Sequence, residues 1–164
     1  MHDLIIPPMD RTLGALATIL AKAEAHCAAE NIAPEALLGF RLFPDMFPLT
    51  RQVQLACDFA ARAAARLAGE EPRGFPDTET TFEGLQQRIA GTRAYMADFP
   101  APAYEGAQTR PITIKMRGND VTMPGLSYLT MYSVPQFHFH ATTAYNILRH
   151  NGVKIGKRDY MGAT

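Results

Sequence analysis

The sequence predicts an all-α protein, a four-helix bundle with a short β-hairpin between its third and fourth helices, in a single domain over residues 1–164. Three observations predict it. Apolar residues recur at spacings of three and four in long stretches. The period changes to two between the third and fourth of these stretches. The last stretch, Val134–Gly152, carries a helix start at Pro135 and a helix stop at Asn151-Gly152. A chain of 164 residues, 47% of them hydrophobic, suffices for one core.

The elements follow in order. Pro7-Pro8 opens the first helix, which runs to about Ala29 with Leu13, Leu16, Ala17, Leu20 and Ala23 or Cys27 on its apolar side. Pro34 starts one short turn in the connector after it. Gly39–Thr50 is a dense knot with Phe40, Phe43 and Phe47, expected to pack on the core or to wall a pocket. Asp45 is placed to cap the second helix, with Pro48 tolerated in its first turn. That helix runs to about Leu67. It is rich in alanine, so a neighbouring helix can approach closely. Its polar stripe, Arg51, Gln54, Asp58, Arg62 and Arg66, is either a solvated face or one wall of a polar cavity.

Gly69–Thr78 is a loop. Thr80-Thr81-Phe82-Glu83 is a capping box with Thr80 at the cap, opening a third helix to about Phe99. Ile112, Ile114 and Met116 alternate with polar residues, R-G-N-D turns the chain, and Val121 and Met123 alternate again. Leu126–Ser133 is helical and leads into the final helix, with a break or kink at Pro135. The tail, Val153–Thr164, is too short for an element and is pinned by Val153, Ile155 and Tyr160.

Lys plus Arg number 16 and Asp plus Glu number 16. Zero net charge argues against non-specific nucleic-acid binding, which needs a basic surface. No run of about 18 apolar residues predicts a membrane span. The start, M-H-D-L-I-I-P-P, lacks the pattern of a signal peptide, so a cytoplasmic setting is the default expectation. Cys27 and Cys57 match no zinc or redox spacing and read as buried small hydrophobes. G-x-S-x-G, the P-loop, G-x-G-x-x-G and H-E-x-x-H are all missing.

The histidines are the chemistry-bearing feature. His138 and His140 are two positions apart, which on a helix means about 200° of rotation, so their rings face nearly opposite ways. His140 shares a face with Gln136, Thr143 and Ile147, flanked by Phe137 and Ala144. His138 falls with Thr142, Tyr145 and Arg149. His140 is thus the interior histidine, either hydrogen-bonded in the core or a metal ligand or general acid–base. His138 belongs to the surface or an interface, and His150 faces the negative end of the helix dipole.

Two blocks carry a resemblance over nearly the whole chain. They are P-D-M-F-P-L-T-R-Q-V-Q-L-A-C-D-F-A, Pro44–Ala60, and F-H-F-H-A-T-T-A-Y-N-I-L-R-H-N-G-V-K-I-G-K-R-D-Y, Phe137–Tyr160. On them the chain resembles the DinB/YfiT-like superfamily, and within it a bacterial domain-of-unknown-function branch. The resemblance implies a bundle, often a homodimer, with an inter-helix pocket. It implies a divalent metal, Zn or Ni, on three histidines, and in some members thiol-dependent transferase or isomerase activity. His140 stands on one ligand position. Gln136 and Gln54 stand on the other two, and amides are much weaker ligands for zinc or nickel than imidazole.

The expected function is therefore small-molecule binding without a tight three-histidine metal site. Arg51, Gln54 and Gln136 contact the ligand, Arg51 holds an anionic group, and His140, tuned by Asp58, moves protons. One alternative is a DinB-like transferase or isomerase with a divalent metal on His140. Another is a dimeric structural protein with a degenerate site. Whether the protein is an enzyme stays open at this level.

Overall fold

The alanine-rich stretch forms α3 (Leu49–Ala68), and its small side chains decide where its neighbours sit. Ala56, Ala60, Ala63 and Ala64 are fully buried, which lets α4 (Phe82–Ala97) and α6 (Val134–His150) both pack directly on α3. α1 (His2–Glu30) completes the core with Ile5, Met9, Leu13, Leu16, Ile19 and Leu20. The computed structural model describes residues 1–162. The fold is mostly helical, with one small antiparallel sheet of two strands, β1 (Pro111–Met116) and β2 (Asn119–Pro124). There are more helical segments than the periodicity predicts. α2 (Pro34–Leu38), a 3-10 turn at Ala101–Tyr104, α5 (Gly125–Ser127) and α7 (Lys157–Tyr160) join the four long helices.

Several local expectations are corrected. α1 starts at His2, upstream of Pro7 and Pro8, which lie inside it. Packing overrides the missing N–H donors: Ile5 and Met9 are buried, and the His2 ring meets Tyr104 edge-on at 5.6 Å. By length and composition α1 is also apolar enough to cross a membrane, where the sequence reading found no such run. Asp45 does not cap α3. Pro48 occupies the cap position without a side-chain bond, because the chain turns again between Asp45 and the helix. Thr81, not Thr80, caps α4, its hydroxyl accepting from Gly84 N at 3.0 Å. The hairpin turns on Arg117-Gly118, both at positive φ (51° and 86°), while Asn119 and Asp120 belong to β2. Two central residues at positive φ match the twist of a tight hairpin.

The approach to α6 explains Pro135. α5 runs into a π-helical segment, Tyr128–Ser133, which passes into α6 without a break. Pro135 lacks an N–H and crowds the carbonyl four residues earlier, and a π segment just before it relaxes the ladder at that point. Gly125 starts this run because a Cβ there would lie 2.0 Å from the Ala107 carbonyl oxygen. At the other end Gly152 N donates to Arg149 O at 3.3 Å and Val153 N to Leu148 O at 3.2 Å, a Schellman closure with Gly152 at φ 87°. Val153 and Leu148 are both buried, as that closure requires.

The tail then forms a helical turn of its own, α7, against the expectation of none. Lys22 on α1 pairs with Asp159 at 2.5 Å, and the Asp159 carboxylate accepts from Gly156 N at 2.7 Å. The predicted pins are in place, with Val153 and Ile155 buried and Tyr160 against Tyr145. The last two positions of the predicted tail, 163 and 164, lie outside the described residues.

Candidate functional site

The polar stripe of α3 is not a solvated face. Gln54 and Asp58 are buried, and α4 brings up a buried arginine that the sequence reading missed, Arg88. Arg88 donates to Asp58 at 2.5 Å and to Glu79 at 3.3 Å, and lies 3.5 Å from Asp77. Arg62 closes on the other Asp58 oxygen at 2.9 Å. Arg51 pairs with Asp77 and donates to Gln54 at 3.2 Å, while the Gln54 amide donates to Glu79 at 2.8 Å. The loop between α3 and α4 is thereby strapped down on these two helices. A signal for Arg88 existed: it stands three after Leu85 and four before Thr92, on the buried face of α4.

These partners engage three predicted site residues. Arg51 Nη1 is shared by Asp77 and Gln54, so its charge already has a carboxylate partner. Gln54 is committed to Arg51 and Glu79. Asp58 bonds Arg88 and Arg62, and makes no hydrogen bond to His140 among the described residues. Cys57 lies beside this cluster as a buried thiol, pushed up to about 12 by burial, which suits a small hydrophobe. Cys27 is likewise buried and free.

His140 is buried, as predicted, but its partner is Gln52, one position from where the polar stripe points. The geometry determines its proton. Gln52 Nε2 donates to the Phe47 carbonyl at 3.1 Å, so its Oε1 is the atom that faces His140 Nδ1 at 2.8 Å. Oε1 can only accept, so Nδ1 carries the ring proton and Nε2 presents a lone pair. Nε2 has no partner among the described residues and is not one of the sealed, unpaired atoms, so it reaches solvent. Phe59 stacks on the ring at 5.5 Å and 9°, and Phe139 meets it edge-on at 5.3 Å. Burial, and then the Arg51 charge, lower its pKa to about 4, so the ring is neutral near pH 7.

A cleft of about 380 Å3 lies along the same turn of α6, lined by Met131, Tyr132, Pro135, Gln136 and Phe139. Its walls touch the rings that hold His140. Tyr132 meets Phe59 edge-on at 5.9 Å, and Phe139 packs on His140 itself. Gln136 stands one turn before His140 and half-buried, as predicted. The Phe-rich knot departs from expectation. Phe40 packs on His150 at 5.8 Å, but Phe43 and Phe47 are 63% and 53% exposed.

The metal implied by the resemblance can be tested on the donor set. Among the described residues no three His, Cys, Asp or Glu side chains converge. Gln54 is spent on charged partners, which leaves His140 Nε2 with the Gln136 amide. One imidazole and one amide do not fit a tight three-nitrogen site, and no step is drawn through a metal.

A mostly helical fold with a hairpin ahead of its last long helix, and a buried histidine on that helix, defines a protein of the DinB type. The chain matches the family model described as Domain of unknown function (DUF1993) over residues 1–161, and it belongs to that family. It is similar to a solved DinB family member protein from Shewanella denitrificans, with a TM-score of 0.90 and 39% identity, over 99% of this chain and 92% of that one. No curated protein matches it. The resemblance read from Pro44–Ala60 and Phe137–Tyr160 is therefore to a DinB-like domain-of-unknown-function branch.

Proposed function

We propose that this DinB-like protein binds a small molecule in the cleft beside His140, without a tight three-histidine metal site. The four long helices are read as the DinB bundle, with the shorter segments as its connectors. The observation that carries the proposal is the free lone pair of His140 Nε2, held in place by Gln52 and Phe59. A buried polar network with nothing left to bond is structural; one with a fixed, accessible acceptor beside an aromatic cleft is equipped to select a ligand. The walls suit an apolar or aromatic body against Tyr132 and Phe139; the ligand's hydrogen-bond donor is assigned to Nε2 of His140, which packs on Phe139 and is not itself a wall of the cleft. Gln136 supplies a second polar contact. Exposed Phe43 and Phe47 offer a surface that a second copy would cover, in keeping with a homodimer.

Phenol is the probe, because it has an aromatic body and one hydroxyl donor. Titrated into the protein, it is expected to shift the His140 ring resonances saturably while those of His138 stay in place. Gln136→Ala is expected to weaken it several-fold, and anisole, which has no donor, binds more weakly still. Equal shifts by phenol and anisole, or no saturable shift at His140, contradict the proposal.

A further inference from the structure

The opposite face of α6 carries a second cleft, of about 400 Å3, between the start of α1, His138 and α7. Its lining is mostly apolar, with Pro7, Pro8 and Met161 beside the polar groups of Arg11, Thr12, His138 and Tyr160. None of the lining residues is acidic. The nearby carboxylates are occupied elsewhere, Asp159 by Lys22 and Gly156, and Asp10 by a bidentate pair with Arg93 at 2.7 and 2.9 Å. Arg11 makes no ion pair or side-chain hydrogen bond among the described residues, so none of their carboxylates compensates its guanidinium in the cleft.

The hydrogen bonds around Tyr160 set the second polar group. The Thr142 hydroxyl donates to the Tyr160 oxygen at 3.0 Å. The Tyr160 proton is then available to His138 Nδ1, 3.2 Å away, and we take Tyr160 as the donor of this pair. Nδ1 is the acceptor, so Nε2 carries the ring proton and is a donor. It has no partner among the described residues. Burial lowers the His138 pKa below its ordinary value, so this neutral tautomer is the form near pH 7. The cleft thus offers two donors, one of them cationic, beside apolar walls.

We propose that this cleft binds small monocarboxylates with an apolar body, the carboxylate bonded by Arg11 and His138 Nε2 and the body seated on Pro7, Pro8 and Met161. An arginine with a second N–H donor matches the two oxygens of a carboxylate. The site is separate from the His140 cleft, and each can fail without the other.

Benzoate is the probe, with benzyl alcohol (the body without the charge) and acetate (the charge without the body) as controls. Benzoate is expected to shift the His138 ring resonances saturably and leave His140 in place. Arg11→Gln should weaken it about tenfold, the effect of losing one charge-assisted contact. Arg11 is exposed, so the melting temperature of Arg11→Gln should match that of the wild type and exclude misfolding. Both controls should bind at least about tenfold more weakly than benzoate. Unchanged affinity in Arg11→Gln, equal binding of benzyl alcohol, or no saturable shift at His138 overturns the proposal.

Discussion

His138 and His140 stand two residues apart on one helix, yet their surroundings give them opposite chemistry. On the inner face an amide oxygen of Gln52 accepts from the Nδ1–H of His140 and leaves Nε2 as an acceptor. On the outer face His138 Nδ1 lies 3.2 Å from the Tyr160 hydroxyl, and with Tyr160 donating, as we propose, Nε2 is left as a donor. A neutral imidazole has one donor and one acceptor, so the partner of one nitrogen decides what the other offers. The same residue type therefore reads as an acceptor site beside aromatic walls on one side, and as half of an anion site beside Arg11 on the other. Spacing along the helix separates the faces; the partners set the ligand class.

The inner face depends on α3 staying where it is, and the Asp58–Arg88 cluster holds it. The largest effect should come from Arg88→Met. It leaves the buried Asp58 with only Arg62 and the half-buried Glu79 without the cation they share, and the expected loss is about 3 kcal/mol in urea unfolding. A loss below about 1 kcal/mol would mean the cluster is solvated, as an exposed pair would be. A smaller effect should come from Gln52→Leu, which removes only the acceptor. Leaving the Nδ1 proton unpaired is expected to cost about 1–3 kcal/mol, again by urea unfolding, and to weaken phenol while sparing benzoate. Loss of both ligands together would show that the two faces are coupled, and would break the comparison.

Much of the fold was legible because it rests on local rules. The wheel that separates His138 from His140, the Gly152 stop and the alternation in the hairpin all depend on neighbours within a few residues. The misses share a cause, which is that distant packing decides them. α1 extends upstream of Pro7 because Ile5 and His2 find partners in the core. Thr80 and Thr81 are equally good caps by type, and only the placement of Phe82 in the core chooses between them. The site was legible in part. His140 and Gln136 were found on their helix face, but Gln52 was passed over for Gln54, two positions away. A helix wheel cannot tell which of two glutamines faces α6 and which faces the loop. Arg88 could be placed on the buried face of α4 by its spacing, but its role there comes only from the carboxylates that Asp58, Asp77 and Glu79 bring to it.

The most direct test is a nitrogen-detected NMR titration of the imidazole rings from pH 8 down to pH 4. At neutral pH the account predicts a protonated Nδ1 at His140 and a protonated Nε2 at His138. On acidification His140 should stay neutral until about pH 4, well below its ordinary value of 6.5. The sign for stability follows. Below about pH 6.5 the unfolded chain takes up a proton that folded His140 refuses, so its contribution is complete above that value and is lost as the pH falls toward about 4. A protonated Nε2 at His140, or titration near 6.5, would contradict the account, because the lone pair on which the ligand site rests would not be there.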